Sequence, residues 1–366
     1  LNPLLPVHSR SVTRPATPTE IIHRKSRKMR RFFCFFISSP YICPTNKIIL
    51  FHTYPFITAR TNYYSIIMFK LSGLIPAVFT PFDKTGAINF SQIQPYADKL
   101  IAEGAYGVFV CGSTGECTSM TVAERKSVLE AWTKAVAGRI LIIAHVGGTC
   151  QADCIELARH AAGLGVDAVG AVAPFYLKPG SVEELVAFYK PIAAACAPLP
   201  FYAYHIPSMT GINLPMVDFL KKGSKEIPNL NGIKFTSNNF MEMIECIRFD
   251  GGRFDILNGF DEMLLCGMAV GARGGVGSTY NYSLRTYQNI YDAFMAGDLE
   301  QARAAQQESV DIVHVIINHG GGIRGGKAIM KLVGIDCGDC RLPLAPYTEA
   351  EIARLDEELR AIGFKK

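Results

Sequence analysis

Ala168-Val-Gly-Ala-Val-Ala-Pro-Phe175, Val182-Glu-Glu-Leu-Val-Ala-Phe-Tyr-Lys-Pro-Ile-Ala-Ala-Ala195 and Leu199-Pro-Phe-Tyr-Ala-Tyr-His-Ile-Pro207 follow one another along the chain. The outer two are short apolar runs rich in β-branched and aromatic residues, the composition of strands buried on both faces. The middle one is an amphipathic stretch of helical length. Together they read as one strand–helix–strand unit.

Working outward, the same pattern recurs from Met68 onward. Strand-like runs lie at Leu74–Phe82, Gly107–Thr114, Ile140–Gly148, Ala168–Phe175, Leu199–Pro207, Asn231–Ser237, Phe254–Glu262 and Ala272–Asn281. Amphipathic segments such as Phe90–Glu103, Thr121–Val136 and Gln151–Leu164 fall between them, and Thr121-Val-Ala-Glu124 has the form of a capping box. Eight alternations give a closed barrel or a doubly wound sheet. The first turn lacks a GxGxxG sequence, which weighs against a dinucleotide fold. The expected fold is therefore α/β, a (β/α)8 TIM barrel. Leu284–Ala296, Leu299–Ile317 and Thr348–Ile362 predict further helices, so a C-terminal helical appendage is expected from about residue 283.

Residues 1–68 lack this periodicity. They hold ten of the 37 Lys/Arg and one of the 32 acids, which leaves 27 basic and 31 acidic residues in 69–366. That remainder is mildly acidic and offers no basic surface for nucleic acid. Residues 1–68 read as an extension outside the fold, either translated upstream sequence with Met68 as the true start or an Arg-rich targeting segment. No run reaches the roughly 20 apolar residues needed to span a bilayer. Of the eleven cysteines, Cys111, Cys196 and Cys266 sit in apolar runs, as reduced and buried cysteines of cytoplasmic proteins do. Cys337-Gly-Asp-Cys340 has CxxC spacing without the second pair that structural zinc needs, and Cys150 and Cys154 are spaced for neighbouring turns of a helix.

Catalytic groups of such a barrel lie at the C-terminal ends of its strands. Lys234 stands within the strand-like run Gly232-Ile-Lys234-Phe-Thr-Ser237. A buried lysine loses its proton more readily and becomes a usable nucleophile; the alternative is a lysine that snorkels out of a strand end. Tyr204 ends the preceding run, either as a proton relay or as a core tyrosine. Gly112-Ser-Thr-Gly-Glu116 forms either an anion-binding nest, with Ser113 and Thr114 as hydroxyls, or a plain tight turn. His145, His160 and His205 read as structural, with His205 facing away from Tyr204 by strand alternation.

As a set, Gly112-Ser-Thr-Gly-Glu116, Tyr204-His-Ile-Pro207 and Gly232-Ile-Lys234 resemble the dihydrodipicolinate synthase/N-acetylneuraminate lyase family over nearly all of 70–366. The resemblance implies that Lys234 forms a Schiff base with a keto acid, with no metal or organic cofactor. Family synthases carry an Arg two residues after the Pro of the tyrosine motif; Met209 stands there. The lyase branch carries Asn-Gly-aromatic-Asp-Glu and Gly-Ser-Thr-Tyr-Asn, here Asn258-Gly-Phe-Asp261-Glu262 and Gly277-Ser-Thr-Tyr-Asn281. The resemblance thus implies sugar-hydroxyl binding by Thr236, Gly259, Asp261, Glu262 and Ser278, and carboxylate binding by Ser113 and Thr114. It implies a proton relay of Ser113, Tyr204 and Tyr176, the last contributed by a neighbouring subunit of a homotetramer. The expected reaction is cleavage of N-acetylneuraminate (sialic acid) to N-acetylmannosamine and pyruvate. The alternatives are a synthase or sugar-acid aldolase or dehydratase of the same family, and a catalytically inactive sugar-binding homologue. Asp261 and Glu262 also read as an N-terminal cap on the helix that follows them.

Overall fold

The computed structural model describes residues 69–364; the extension expected over 1–68 lies outside the described residues. The expected barrel forms. Its strands are β1 (Gly73–Pro76), β2 (Gly107–Val110), β3 (Leu141–His145), β4 (Ala168–Val172), β5 (Phe201–His205), β6 (Leu230–Phe235), β7 (Asp255–Asn258) and β8 (Gly274–Gly277). All pair in parallel with their sequence neighbours, and β8 returns to β1. A bridge between Ala77 and Phe109 joins β1 to β2, which closes the ring.

A main helix follows each strand: α1 (Ile93–Ala102), α2 (Val122–Val136), α3 (Gln151–Gly163), α4 (Val182–Ala195), α5 (Met216–Glu226), α6 (Phe240–Arg248), α7 (Leu264–Ala269) and α8 (Tyr280–Ala296), with a single extra helical turn, Pro207–Thr210, between β5 and α5. Thr121 and Glu124 form the expected capping box on α2. The helix expected from Leu284 begins at Tyr280 and completes the eighth unit. The appendage proper is α9 (Leu299–Asn318), α10 (Gly321–Leu332) and α11 (Glu349–Ala361). Helix α10 was not expected, because Gly320-Gly-Gly-Ile-Arg-Gly-Gly326 carries the residues least suited to a helix interior. It forms because close packing requires them: a Cβ on Gly326 would lie 2.4 Å from the Phe79 ring.

Strand alternation divides the core in two. Phe109, Ile143, Val172, Tyr202, Tyr204, Leu257 and Val276 point into the barrel and form one cluster. Their neighbours, such as Val108, Ala144, Ala203 and Phe235, point outward and pack with Trp132, Tyr189 and Phe219 of the helices. The strands are shorter than the apolar runs that announced them. The surplus residues, among them Gly112–Thr114 and Thr236–Ser237, leave the ladder and build the barrel mouth. They are apolar or small because the mouth is itself enclosed, so composition does not mark where hydrogen bonding stops.

Cys111 and Cys196 are buried as expected, but Cys266 is exposed. On α7 the buried positions are Leu264, Gly267 and Met268, which leaves Cys266 on the outer face. Cys150 and Cys154 fall at the cap and in the first turn of α3, and Cys337 and Cys340 are both free thiols.

At the N-terminal end of the barrel a polar plug replaces apolar packing. Tyr202 Oη donates to Asp255 Oδ2 at 2.9 Å and accepts from Asn231 Nδ2 at 2.7 Å. Leu71 N donates to the same carboxylate oxygen at 2.9 Å. Burial pushes the Asp255 carboxyl up, and these bonds oppose the shift. Tyr202→Phe leaves two buried polar groups short of a partner, so it should lower stability by about 1–3 kcal/mol. Chemical denaturation measures this, and an unchanged midpoint would show that the plug contributes nothing.

Candidate active site

Lys234 is the penultimate residue of β6, at its C-terminal end, between outward-facing Ile233 and Phe235. Its own side chain therefore enters the barrel. It is 6 % exposed. In the strand register it sits beside Tyr204 of β5 and Leu257 of β7. The ammonium nitrogen Nζ stands 4.2 Å from the centroid of the Tyr204 ring and 4.6 Å from that of Phe109. No carboxylate or carbonyl of the described residues pairs with it. Burial lowers its pKa to about 7, and the charge of Asp261 pulls it partly back up. A lysine in this state is about half neutral near pH 7, unlike a solvated one.

Tyr204 is buried by the same walls, which push its phenol up to about 12, while the neighbouring hydroxyls of Ser113 and Thr236 pull the value down. Its ring packs edge-on to Phe109 and His145. His145 Nδ1 lies 2.8 Å from the Cys111 carbonyl, and Val172 N donates to Nε2 at 3.1 Å. The carbonyl takes the proton on Nδ1 and the backbone donor meets a bare Nε2, so the ring is neutral and occupied. His205 faces outward against Phe235, and His160 pairs with Glu130 on the surface. None of these three histidines lines the cavity at the barrel mouth.

All the residues singled out in the sequence except Tyr176 line one cavity of about 340 Å³ at the C-terminal ends of the strands. These are Ser113, Thr114, Tyr204, Lys234, Thr236, Gly259, Asp261, Glu262 and Ser278. Tyr176 is 83 % exposed and does not reach this cavity. Two glycines make room for the lining. A Cβ on Gly259 would fall 1.9 Å from Thr236 Oγ1, and one on Gly277 would fall 2.0 Å from Asp261 Oδ1.

Asp261 is buried, and burial raises its pKa. Its Oδ2 accepts from Thr279 N at 2.8 Å and Thr279 Oγ1 at 2.6 Å, with Ser278 Oγ at 3.5 Å. The cap reading of Asp261 and Glu262 does not hold: Met263 stands at the N-cap of the following helix α7, which has no side-chain cap hydrogen bond. Asp261 instead reaches across to the loop after β8. Burial likewise raises Glu262, with the Asp261 charge adding to the shift. The Ser278 loop is tied to β1 by Asn281, whose Nδ2 donates to Ala77 O and Ser278 O, each at 2.7 Å.

Part of the lining had no signal in the sequence. Gly320, Gly322, Ile323 and Arg324 reach the cavity from the start of α10, and Leu344 from the loop before α11. Their segment has no periodicity and lies about a hundred residues beyond the lysine. Arg324 is engaged elsewhere: it donates to Ala345 O, Pro346 O and Glu351 and stacks over Tyr347. Its charge fastens the 345–351 segment beside the cavity.

The Gly112–Glu116 turn is anchored in the same way. Glu116 has φ of 54°, a left-handed conformation costly for a non-glycine residue. Its carboxylate pairs with Lys327 of α10 at 2.7 Å, both side chains being 2 % exposed. Arg341 N donates to its other oxygen at 2.9 Å. Lys327→Met strands the buried carboxylate and should cost about 3–5 kcal/mol, with Lys327→Met/Glu116→Gln recovering much of it. Thermal or chemical denaturation of the three proteins checks this, and equal stability of single and double variants would show that the pair is not coupled.

Residues 70–362 match the model of the dihydrodipicolinate synthetase family. Curated relatives include the N-acetylneuraminate lyase of Mus musculus, 38 % identical over 81 % of this chain and 93 % of the mouse protein. N-acetylneuraminate lyase A of Xenopus laevis is 41 % identical over 75 % of this chain and 91 % of its own. Among solved structures, Proteus mirabilis N-acetylneuraminate lyase superposes with a TM-score of 0.79 at 40 % identity, covering 81 % of this chain and all of the other. With its motifs set at the mouth of the barrel in this order, the chain belongs to the dihydrodipicolinate synthetase family.

Proposed function

We propose that the chain is a class I aldolase that cleaves N-acetylneuraminate to N-acetylmannosamine and pyruvate. The observation that carries this reading is Lys234, a buried amine with a pKa of about 7, without an ion-pair or hydrogen-bond partner among the described residues, at the floor of a cavity lined by carboxylates and hydroxyls. Such an amine is a nucleophile toward a ketone at neutral pH. The likeness to lyases from mouse, frog and Proteus supports the choice of substrate.

In this reading Nζ of Lys234 attacks the keto carbon of the open-chain sugar acid, and water leaves as the iminium forms. Ser113 and Thr114 receive the adjacent carboxylate. The phenol of Tyr204 holds its proton at neutral pH, so it acts as a relay. It accepts the proton of the hydroxyl beyond the scissile bond as its own passes on toward Ser113. The carbon–carbon bond breaks, its electrons move into the iminium, and the aldehyde product departs. Protonation of the enamine and addition of water release pyruvate and restore the amine. Thr236, Gly259, Asp261, Glu262 and Ser278 bind the sugar hydroxyls; a polyol taken from water needs such partners.

Tyr176, exposed on the single chain, completes the relay of a neighbouring subunit in a homotetramer. The cysteines among the described residues are free, which suits the reducing cytoplasm. No helix among the described residues is long and apolar enough to cross a membrane. Met209 lines the cavity where a synthase would need a cation, and its thioether cannot pair with a carboxylate.

Pyruvate release from N-acetylneuraminate, coupled to lactate dehydrogenase, tests the proposal. Lys234→Ala should abolish both release and the trapping of pyruvate by borohydride. Tyr204→Phe should lower kcat by about 100- to 10,000-fold. Substantial turnover in Lys234→Ala would reject the mechanism. Condensation of pyruvate with aspartate semialdehyde, with no sialic acid cleavage, would replace the lyase by a synthase. Because only the neutral amine attacks, kcat/KM should fall below a midpoint at pH about 7; a profile flat from pH 5 to 8 would mean that the amine is not the group titrating.

A further inference from the structure

A line of hydrogen bonds runs from the C-terminal helices to Asp261, and its direction is determined by its far end. Leu265 N donates to Gln306 Oε1 at 2.8 Å, which orients the amide of this α9 residue. Gln306 Nε2 then lies 3.2 Å from Ser309 Oγ. An amide NH2 only donates, so Ser309 accepts there. Its single proton is left for Tyr287 Oη on α8, 2.9 Å away. The phenol proton is left for Thr279 Oγ1, at 2.6 Å. The Thr279 proton is left for Asp261 Oδ2, at 2.6 Å. Ser309 and Tyr287 are wholly buried, so solvent offers neither of them another partner. Reversing the line would aim the Ser309 proton at the amide NH2. The order of groups therefore selects a carboxylate that accepts.

We infer that Tyr287 and Ser309 are positioning residues of the active site, holding Asp261 as an oriented, ionised carboxylate beside Lys234. The inference rests on the reading of Lys234 and Asp261 as site residues given above. Burial by itself would drive Asp261 toward its neutral acid form. A chain of aligned donors opposes this, each bond polarising the next. The bonds from Thr279 N, Thr279 Oγ1 and Ser278 Oγ all fall on Oδ2, and the backbone N–H of Ser278 adds to the donors that favour the ionised carboxylate. The fixed negative charge also favours the cation that forms on Lys234.

The other titratable and charged groups around the pair do not substitute for the chain. His145 of β3 is neutral and occupied on both nitrogens. Tyr204 of β5 faces Ser113 and Thr236. Glu262 carries charge of the same sign as Asp261. Tyr280 and Tyr282 of α8 feel the charge of Asp261 without bonding to it, and their hydroxyls have no hydrogen-bond partner among the described residues. Arg324 of α10 is held by Glu351.

The test reads the titration of Lys234 without any substrate. Cyanate carbamylates only the neutral amine, and mass spectrometry of the Lys234 peptide follows the rate from pH 5 to 9. The wild type is compared with Tyr287→Phe, Ser309→Ala, Asp261→Asn and Tyr287→Phe/Asp261→Asn. With the chain cut, Asp261 takes up a proton more readily and its charge is lost from beside Lys234. The amine then titrates at lower pH, with a midpoint lower by about half a unit or more in Tyr287→Phe. Ser309→Ala should move it the same way. The double variant should match Asp261→Asn, since the two changes act through one carboxylate. A structural role alone would lower thermal stability and leave the midpoint in place. Unmoved midpoints in folded Tyr287→Phe and Ser309→Ala, or a Tyr287→Phe shift that persists in the Asp261→Asn background, would overturn the inference. Borohydride trapping of pyruvate on the wild type reports separately: its absence would reject the aldolase reading and leave the carbamylation result to stand or fall by itself.

Discussion

The chemistry of this barrel depends on a charge that has nowhere to go. Lys234 enters the barrel between aromatic rings, with no ion-pair or hydrogen-bond partner among the described residues. The cost of desolvating an ammonium is met by releasing the proton, which converts the most basic common side chain after arginine into a neutral nucleophile. Asp261 acts the other way, near enough to be felt and not near enough to pair. The amine is thus poised between two forms. A closer carboxylate would lock it as a cation, and none at all would weaken the hold on the cation that the proposed reaction creates.

That balance needs loops that do not move, and the C-terminal helices supply the restraint. Helix α10 reaches the Gly112–Glu116 turn through the Lys327–Glu116 pair. Arg324 of the same helix fastens the segment leading into α11. Helices α8 and α9 reach Asp261 through Tyr287, Ser309 and Gln306. A strand end places a side chain to within the precision of the sheet. A loop has no such ladder, and these buried polar ties take its place. The helices beyond the eighth unit are therefore part of the site as well as part of the core.

Legibility along the chain followed physical periodicity. Eight apolar runs alternating with amphipathic stretches predicted the barrel because strand and helix each impose a repeat that survives in one dimension. Lys234, Tyr204 and the Gly112–Glu116 turn were legible because each is a local anomaly: a cation in an apolar strand, a phenol at a strand end, glycines flanking hydroxyls. Helix α10 was not, because its glycines answer to neighbours such as Phe79 that come from the other end of the sequence. Cys266 was misread because an apolar run does not reveal which of its residues a short helix turns outward.

The sequence by itself determined the fold class, the family and the candidate site residues, since all of these rest on short-range pattern. Only the tertiary structure decided the state of those residues. That Lys234 has no ion-pair or hydrogen-bond partner among the described residues, that Asp261 holds the loop after β8, and that a line of hydrogen bonds from Gln306 ends on its carboxylate depend on distances between positions from tens to more than a hundred residues apart. Ionisation and proton direction are properties of an enclosed three-dimensional environment, where burial removes water and leaves each polar group to the partners that folding brings within reach.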